Sequence, residues 1–166
     1  YDIKITSSKN NEKFKKILNV NNDSSNESLN FINSSISFLI FLPEMERLFQ
    51  SSPSYRRNFI DRLIFSEINS YNRLINKYKK NLIERTKILQ QNFNDNDWIN
   101  IIEDELSQTG IEIYNLRNTQ LKLLNEHIKI LNENNNYNFS VNLSIKDSFF
   151  KKDLSKDYYI TKLKLN

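Results

Sequence analysis

The first thirty residues contain two candidate strands and two polar segments. Apolar and polar side chains alternate over 2–6, and a second candidate strand, 13–18, follows the polar segment 7–12. Alternation with a period of two is typical of a half-buried β-strand, so the two runs predict a β-hairpin. The segment 19–30 is rich in Asn and Ser, whose side chains hydrogen-bond to nearby backbone groups. It predicts a polar loop.

Two further runs predict strands later in the chain. The run 36–42 is almost continuously apolar and ends at Pro43, which is typical of a strand buried on both faces and stopped by a residue that cannot donate to a ladder. Residues 139–145 alternate strictly and predict another strand, and the tail 153–166 predicts a last helix. A strand buried on both faces needs a sheet with a layer on each side, and the chain has only two or three other candidate strands. We therefore expect part of the fold to lie outside these residues.

The middle of the chain has a helical period. Apolar residues recur at three- and four-residue steps over 54–93 and again from Trp98 to about residue 134, which places each set on one stripe of a helix. The first stretch is long for one globular helix, so we expect a break near 66–69. Between the stretches lies a short polar turn with Asp95 and Asp97, either of which can cap the second helix. Two such helices predict an antiparallel helical hairpin.

These elements predict an α+β fold. A long helical hairpin, acting as an arm or lid domain over 51–134, is flanked by strands of an incomplete sheet in 1–50 and by a strand and helix in 135–166. Because the helical hairpin is inserted between strands, we expect it to form an arm that projects from a head containing the sheet.

The composition excludes several classes of site. The chain has one glycine, one histidine and no cysteine. A Walker A loop needs two glycines and a dinucleotide-binding fingerprint three, while thiolate zinc sites and cysteine nucleophiles need cysteine. A single histidine, His127, argues against a Ser-His-Asp triad and a histidine-based metal site. We therefore expect no catalytic residue, metal site or cofactor site in this chain.

The sequence carries no signal for export or membrane insertion. It begins at Tyr1 without the charged and apolar regions of a signal peptide, and no apolar run approaches the roughly 20 residues that span a bilayer. The absence of cysteine fits a reducing compartment. We expect a cytoplasmic location and no membrane partner.

Arginine carries more information here than lysine or asparagine. The chain has 27 Asn and no Ala, a bias typical of an AT-rich genome, so Lys and Asn count little as functional evidence. Arg binds phosphates and carboxylates in a planar, bidentate geometry. Four of the seven arginines lie near the start of the helical region and form a candidate anion-binding cluster, with DNA phosphate the leading ligand: Arg56, Arg57, Arg62 and Arg73.

The cationic side chains can also have a structural role, as partners in salt bridges within the chain. Arg57 and Asp61 stand at i and i+4, a spacing at which they can pair on the helix surface. If the hairpin turns near Asn94, residue 85 lies opposite residue 103, and the acidic run 103–105 faces the distal part of the basic helix. That arrangement predicts a ladder of exposed salt bridges, each contributing about 0–1 kcal/mol, from Lys79, Lys80, Arg85 and Lys87.

Other notable side chains favour packing roles. We expect Trp98 to anchor the core at the start of the second helix and His127 to be half-exposed. Tyr158 and Tyr159 can stack on bases, but packing is the simpler interpretation for them.

Several residues recur in the order and at the spacing of a known bacterial family. They are Pro43, Glu44, Arg56, Arg57, Phe59, Asp61, Arg85, Trp98, Gly110 and Arg117. In these positions the chain resembles the RecF family, firmly over about 38–117 and more weakly elsewhere. Leu42, Met45 and Thr86 depart from the usual family residues.

The resemblance implies a function that the residues alone do not give. RecF proteins have an SMC-like, ABC-type ATPase head with an inserted helical domain, so this chain would be a central fragment of one. Family members bind ATP and Mg²⁺ between the heads of an ATP-dependent homodimer. They bind DNA at single-strand/double-strand junctions and act with RecO and RecR in recombinational gap repair to load recombinase. The Walker A, signature and Walker B motifs do not occur in this chain, which we expect to be inactive alone.

The residues themselves also allow a different class of function. A helical hairpin can serve as a stand-alone protein-interaction module that has no DNA or nucleotide role. A Walker A loop in the reading frame upstream and a signature-like segment downstream would favour the RecF-like hypothesis.

Overall fold

The computed structural model describes residues 2–10, 13–36, 39, 43–90, 96–146 and 155–165. The chain divides into two compact units, Tyr1–Phe41 and Leu42–Asn166. Its described part is mostly helical, with five α-helices and one two-stranded antiparallel sheet. None of the helices in that part has the length and apolar character needed to cross a membrane.

The first unit opens with the predicted β-hairpin. Strand β1, Ile3–Asn10, pairs antiparallel with strand β2, Lys13–Val20. Ile3 lies opposite Val20 at the open end. The alternation therefore identified the hairpin correctly, although both strands are longer than predicted.

Helix α1, Asn26–Ser35, occupies part of the segment predicted to be a polar loop. That prediction is wrong from residue 26 onward because the serines and the aspartate of this segment cap a helix. The Ser25 hydroxyl accepts a hydrogen bond from the Ser28 backbone N–H at 3.2 Å, which satisfies one of the free donors of the first turn. Asp23 accepts from the hydroxyls of both serines, and these bonds lower the pKa of Asp23 to about 2.

The predicted buried strand 36–42 is not tested by the structure. Five of its seven residues lie outside the described residues. Ile36 is the C-cap of α1, with its backbone N–H bonded to the Ile32 carbonyl at 2.9 Å.

The regular secondary structure described in the second unit is helical. A 3₁₀-helical segment, Pro43–Gln50, comes first. Four α-helices follow: α2, Pro53–Glu67; α3, Tyr71–Gln90; α4, Asn96–Asn135; and α5, Lys156–Lys164. The predicted last helix is thus present as α5.

The predicted helix break and hairpin are both confirmed. The first helical stretch is interrupted at 68–70, next to the predicted break. Helices α3 and α4 run in opposite directions, since Arg85 near the end of α3 meets Glu103 early in α4, while Tyr71 at the start of α3 clusters with Ile113 further along α4. The predicted cap Asp97 instead lies inside the first turn of α4, and Asp95 is outside the described residues.

Two apolar clusters hold the second unit together. One joins Ile64 of α2, Tyr71 of α3 and Ile113 of α4. The other joins α4 to α5 and contains Ile102, Leu106, Tyr159 and Leu163. Trp98 belongs to neither: its side chain is 47% exposed, so the predicted core anchor is wrong. The stripe residues one turn further on, where α5 covers the helix, form the core instead.

The single glycine of the chain lets α5 pack closely against α4. A Cβ atom placed on Gly110 would lie 2.6 Å from the Tyr159 hydroxyl oxygen and 2.8 Å from two ring carbons. Real Cβ atoms do not approach other atoms so closely, so a side chain here would displace the tyrosine ring. The glycine is therefore required by close packing and not by a turn, since its φ is not positive.

The predicted strand 139–145 is wrong. These residues are described and form no ladder. The Asn125 side chain of α4 makes the bonds that a neighbouring strand would make: its Nδ2 donates to the Leu143 carbonyl at 2.8 Å, and its Oδ1 accepts from the Leu143 N–H at 2.7 Å. An alternating pattern yields a strand only where a partner strand is available.

Candidate nucleic-acid interface

The structure separates the four arginines of the predicted anion-binding cluster. Arg56 is half-buried, and its Nη1 donates to the Ser51 carbonyl at 2.6 Å and to the Phe49 carbonyl at 3.2 Å. These carbonyls belong to the end of the 3₁₀ segment and the bend after it. Arg56 therefore holds that segment against α2, and its guanidinium is partly occupied by backbone acceptors.

The other three arginines are exposed to solvent. Arg57 and Arg62 lie on α2 and Arg73 on α3. None of the three has an ion pair or hydrogen bond with another described residue. Their charges are therefore available to an external anion. They do not form one compact cluster, since Arg73 lies on the side of α3 away from the face that carries Ile75 and Leu82.

Asp61 is bound to α4 and not to its neighbour on α2. Its two carboxylate oxygens accept from Nε and Nη2 of Arg117, both at 2.8 Å, across 56 residues of sequence. The Tyr71 hydroxyl donates to the same carboxylate at 2.7 Å. The alternative pairing of Asp61 with Arg57 is therefore wrong. The three side chains form a clip, here called the Asp61 clip, that joins α2, α3 and α4.

Burial and charge shift the pKa values of the Asp61 clip. Burial raises the pKa of Tyr71, and the hydrogen bond to the Asp61 carboxylate adds to the shift. For Arg117, burial acts to lower the pKa, but the hydrogen bonds and charge of Asp61 outweigh it and the pKa is raised. Arg117 thus stays charged and Tyr71 stays protonated over the physiological range.

The distal ion pairs match the predicted ladder in part. Arg85 donates to Glu103 at 2.9 Å, as the predicted hairpin register requires, and also to the Leu163 carbonyl of α5 at 2.5 Å. Lys77 pairs with Glu105 at 3.4 Å. Asp104 pairs with Lys156 of α5. The remaining predicted members of the ladder, Lys79, Lys80 and Lys87, are exposed and form no ion pair with the residues that the structure describes.

Arg57 lies at the rim of a cleft of about 510 Å³ between the helices of the second unit. Lys79 of α3 lies at the same rim, and Asp61 and Arg117 form part of the wall. The pairing of Asp61 with Arg117 neutralises that wall internally. The two rim cations are left without such compensation, so the cleft carries a local excess of positive charge.

The structure also places the other residues that the sequence analysis named. Pro43 and Glu44 open the 3₁₀ segment. Phe59 lines a second cleft, of about 480 Å³, beside the segment held by Asn125. His127 is exposed, with Nδ1 2.8 Å from the Leu123 carbonyl. Tyr159 is buried against Gly110, as the packing interpretation predicted.

The described residues contain no group of three or more acidic or histidine side chains that could hold a metal ion. The sequence analysis did not predict the Asp61 clip. The hairpin register that places residue 85 opposite residue 103 does not bring Asp61 to Arg117; the packing of α2 against α4 does, and it leaves no signal in the sequence spacing.

Comparison with known proteins gives a consistent set of relatives. The chain is 32% identical over 124 residues to the DNA replication and repair protein RecF of Rickettsia prowazekii, which covers 75% of this chain and 31% of that protein. It is 32% identical over 130 residues to the RecF of Rickettsia typhi, covering 78% and 32%. For the RecF of Rickettsia bellii the identity is 35% over 92 residues, covering 55% and 26%.

The chain therefore resembles a fragment of RecF proteins, with distant sequence similarity. It spans about a third of the length of the curated relatives it matches. No family model matches the chain, and no solved structure matches it.

Proposed function

We propose that this chain, which resembles a fragment of RecF proteins, binds DNA as part of a RecF-like factor in recombinational gap repair and replication. The parent protein would act at single-strand/double-strand junctions in the cytoplasm with RecO- and RecR-like partners to load recombinase. The β1–β2 hairpin would belong to its ATPase head, and the helical second unit would be the arm or lid domain inserted into that head.

The similarity is supported by contacts between residues of the family pattern. Asp61 and Arg117 are far apart in sequence yet bind each other through two hydrogen bonds. Gly110 leaves room for the Tyr159 ring, which a Cβ atom at this position would displace. Residues that match the pattern thus have physical reasons to be where they are, which an accidental likeness would not provide.

The observation that carries DNA binding is the exposure of Arg57, Arg62 and Arg73 without described partners. Duplex DNA releases condensed counterions when cations neutralise its phosphates, so the affinity falls with salt in proportion to the number of neutralised phosphates. Arginines that already bind carboxylates or carbonyls release fewer counterions. Arg117 and Arg56 are of that kind.

The test is DNA binding by the full chain, measured by fluorescence anisotropy of a labelled gapped duplex over a series of salt concentrations. Alanine at Arg57, Arg62 or Arg73 should weaken binding and reduce the salt slope by about one unit for each phosphate that is no longer neutralised. The control is Lys129→Ala, which removes a distant exposed cation of α4 that pairs with Glu133. Equal slopes for all four variants would refute the assignment.

The same measurement separates this function from the stand-alone protein-interaction module. A module with no DNA role would show no salt-dependent binding to gapped or duplex DNA. Binding that survives replacement of all three arginines would also contradict the proposal.

We propose ATP and Mg²⁺ as ligands of the full-length parent protein only, and not of this chain. With one glycine, the 166 residues hold no Walker A loop for the phosphates of ATP. We expect calorimetric titration of the chain with ATP and Mg²⁺ to show no binding in the micromolar range. Micromolar binding would contradict this part of the proposal.

A further inference from the structure

The cleft behind Arg57 is built by one face of each of three helices. Residues at three- and four-residue spacing point into it from α2, α3 and α4, and two residues of α5 close one end. The lining residues used below are Arg57, Asn58, Tyr78, Lys79, Tyr114 and Tyr159. The Asp61 clip ties α2 to α4, so the positions of the cleft walls are fixed by contacts between helices.

The chemistry of the cleft changes from rim to floor. Arg57, Asn58 and Lys79 at the rim are exposed, whereas Tyr159 and Ile113 at the floor are buried. Three of the eight tyrosines of the chain line this one cleft. The hydroxyls of Tyr78 and Tyr159 are hydrogen-bonded at 2.6 Å, which fixes both rings before any ligand arrives.

A cationic rim above an aromatic floor matches a particular class of ligand. A nucleotide unit presents an anionic phosphate and a flat base, and base stacking on an aromatic side chain contributes about 1–3 kcal/mol. The volume of about 510 Å³ falls within the usual range for small-ligand sites. A base within a duplex is stacked on its neighbours and cannot enter, so such a cleft would select unpaired bases.

We propose that this cleft receives an unpaired nucleobase of single-stranded DNA, with the adjoining phosphate held by Arg57 and Lys79. This inference rests on the proposed function and makes it more specific. It assigns the base to the half-buried rings of Tyr78 and Tyr114, above the buried floor. It also explains why Arg57 differs from Arg62 and Arg73, which lie outside the cleft lining.

The test uses the full chain and a single-stranded oligonucleotide in which one thymine is replaced by 5-iodouracil. Irradiation crosslinks this base to nearby aromatic side chains, and mass spectrometry of the digest locates the crosslink. We expect crosslinks at Tyr78 or Tyr114, which are half-buried, and not at the buried Tyr159. Asn58→Trp, which places a large side chain at the rim, should remove these crosslinks while the circular dichroism spectrum stays unchanged.

Affinity provides a second, independent readout with a matched control. Arg57→Ala with Lys79→Ala should weaken binding of the oligonucleotide at least tenfold. Lys80→Ala with Lys87→Ala removes the same charge from exposed positions of α3 outside the cleft, and should weaken binding less than threefold. Equal effects of the two double substitutions would refute the assignment of the rim.

The outcomes distinguish this inference from the proposed function. DNA binding with crosslinks at other residues would overturn the cleft assignment and leave the DNA-binding function standing. Absence of any DNA binding would overturn both. Thymidine monophosphate that competes as strongly as the oligonucleotide would overturn the assignment to a DNA strand in favour of a free nucleotide.

Discussion

Replacing Asp61 by Asn should destabilise the second unit far more than replacing an exposed carboxylate. The substitution keeps the shape of the side chain and removes its charge, so Arg117 and the Tyr71 hydroxyl lose a charged acceptor. The Arg117 and Asp61 side chains are only 22% and 19% exposed, so little water is available to take its place.

The magnitude follows from that burial. Breaking a fully buried ion pair by removing one partner costs about 3–5 kcal/mol, because the other charge stays buried and unpaired. Exposed pairs contribute about 0–1 kcal/mol. With one fifth of each side chain exposed, we expect Asp61→Asn to lower the free energy of unfolding by about 2–4 kcal/mol.

Urea unfolding of the full chain, followed by circular dichroism at 222 nm, measures this change as a shift in midpoint. The matched control is Asp104→Asn, since the Lys156–Asp104 pair is 43% and 41% exposed; it should cost less than about 1 kcal/mol. Adding Arg117→Met to Asp61→Asn should recover part of the stability, because the unpaired cation is then gone. Equal costs for Asp61→Asn and Asp104→Asn would refute the reasoning.

Three further predictions concern other side chains. Gly110→Ala should lower the free energy of unfolding by about 1–3 kcal/mol through overpacking in urea unfolding, despite the higher helix propensity of alanine, and should stabilise the chain once Tyr159 is replaced by Leu. Arg85→Met should cost about 3–5 kcal/mol, because Glu103 is buried and its Oε2 has no hydrogen-bond partner among the described residues. Adding Glu103→Leu should restore most of that stability in the same assay. Two serine hydroxyls lower the pKa of Asp23 to about 2, below its value in the unfolded chain. The stability that ionised Asp23 contributes should therefore be complete above about pH 4 and lost as the pH falls through 2. A titration midpoint near pH 4 for the Asp23 carboxyl, measured by NMR, would contradict this.

The sequence predicted the elements whose pattern is local. The alternation of the first residues, the helical stripes and the break before Tyr71 each depend on neighbours within a few positions. The loop prediction for 19–30 failed from residue 26 onward because Asn and Ser favour helix caps as much as loops, and Ser25 caps a helix here. The strand prediction for 139–145 failed for the converse reason, since a pattern does not show whether a partner strand exists.

The candidate site was predictable in composition but not in geometry. The sequence predicted an arginine cluster. It did not show what Arg56 binds or which arginine pairs with Asp61. Arg56 binds backbone carbonyls, which carry no sequence signature. Asp61 has a cation four residues earlier in the same helix and another on α4, and only the packing of α2 against α4 selects Arg117.

The position of α5 has a consequence for the order in which the chain folds. Its Tyr159 hydroxyl binds Tyr78, 81 residues earlier, and its Leu163 carbonyl accepts from Arg85, 78 residues earlier. The surface that receives it, with Gly110 at its centre, exists only after α3 and α4 have paired. Docking of α5 is therefore a late step that closes a large loop, and changes at Tyr159 should act on the unfolding rate more than on the folding rate.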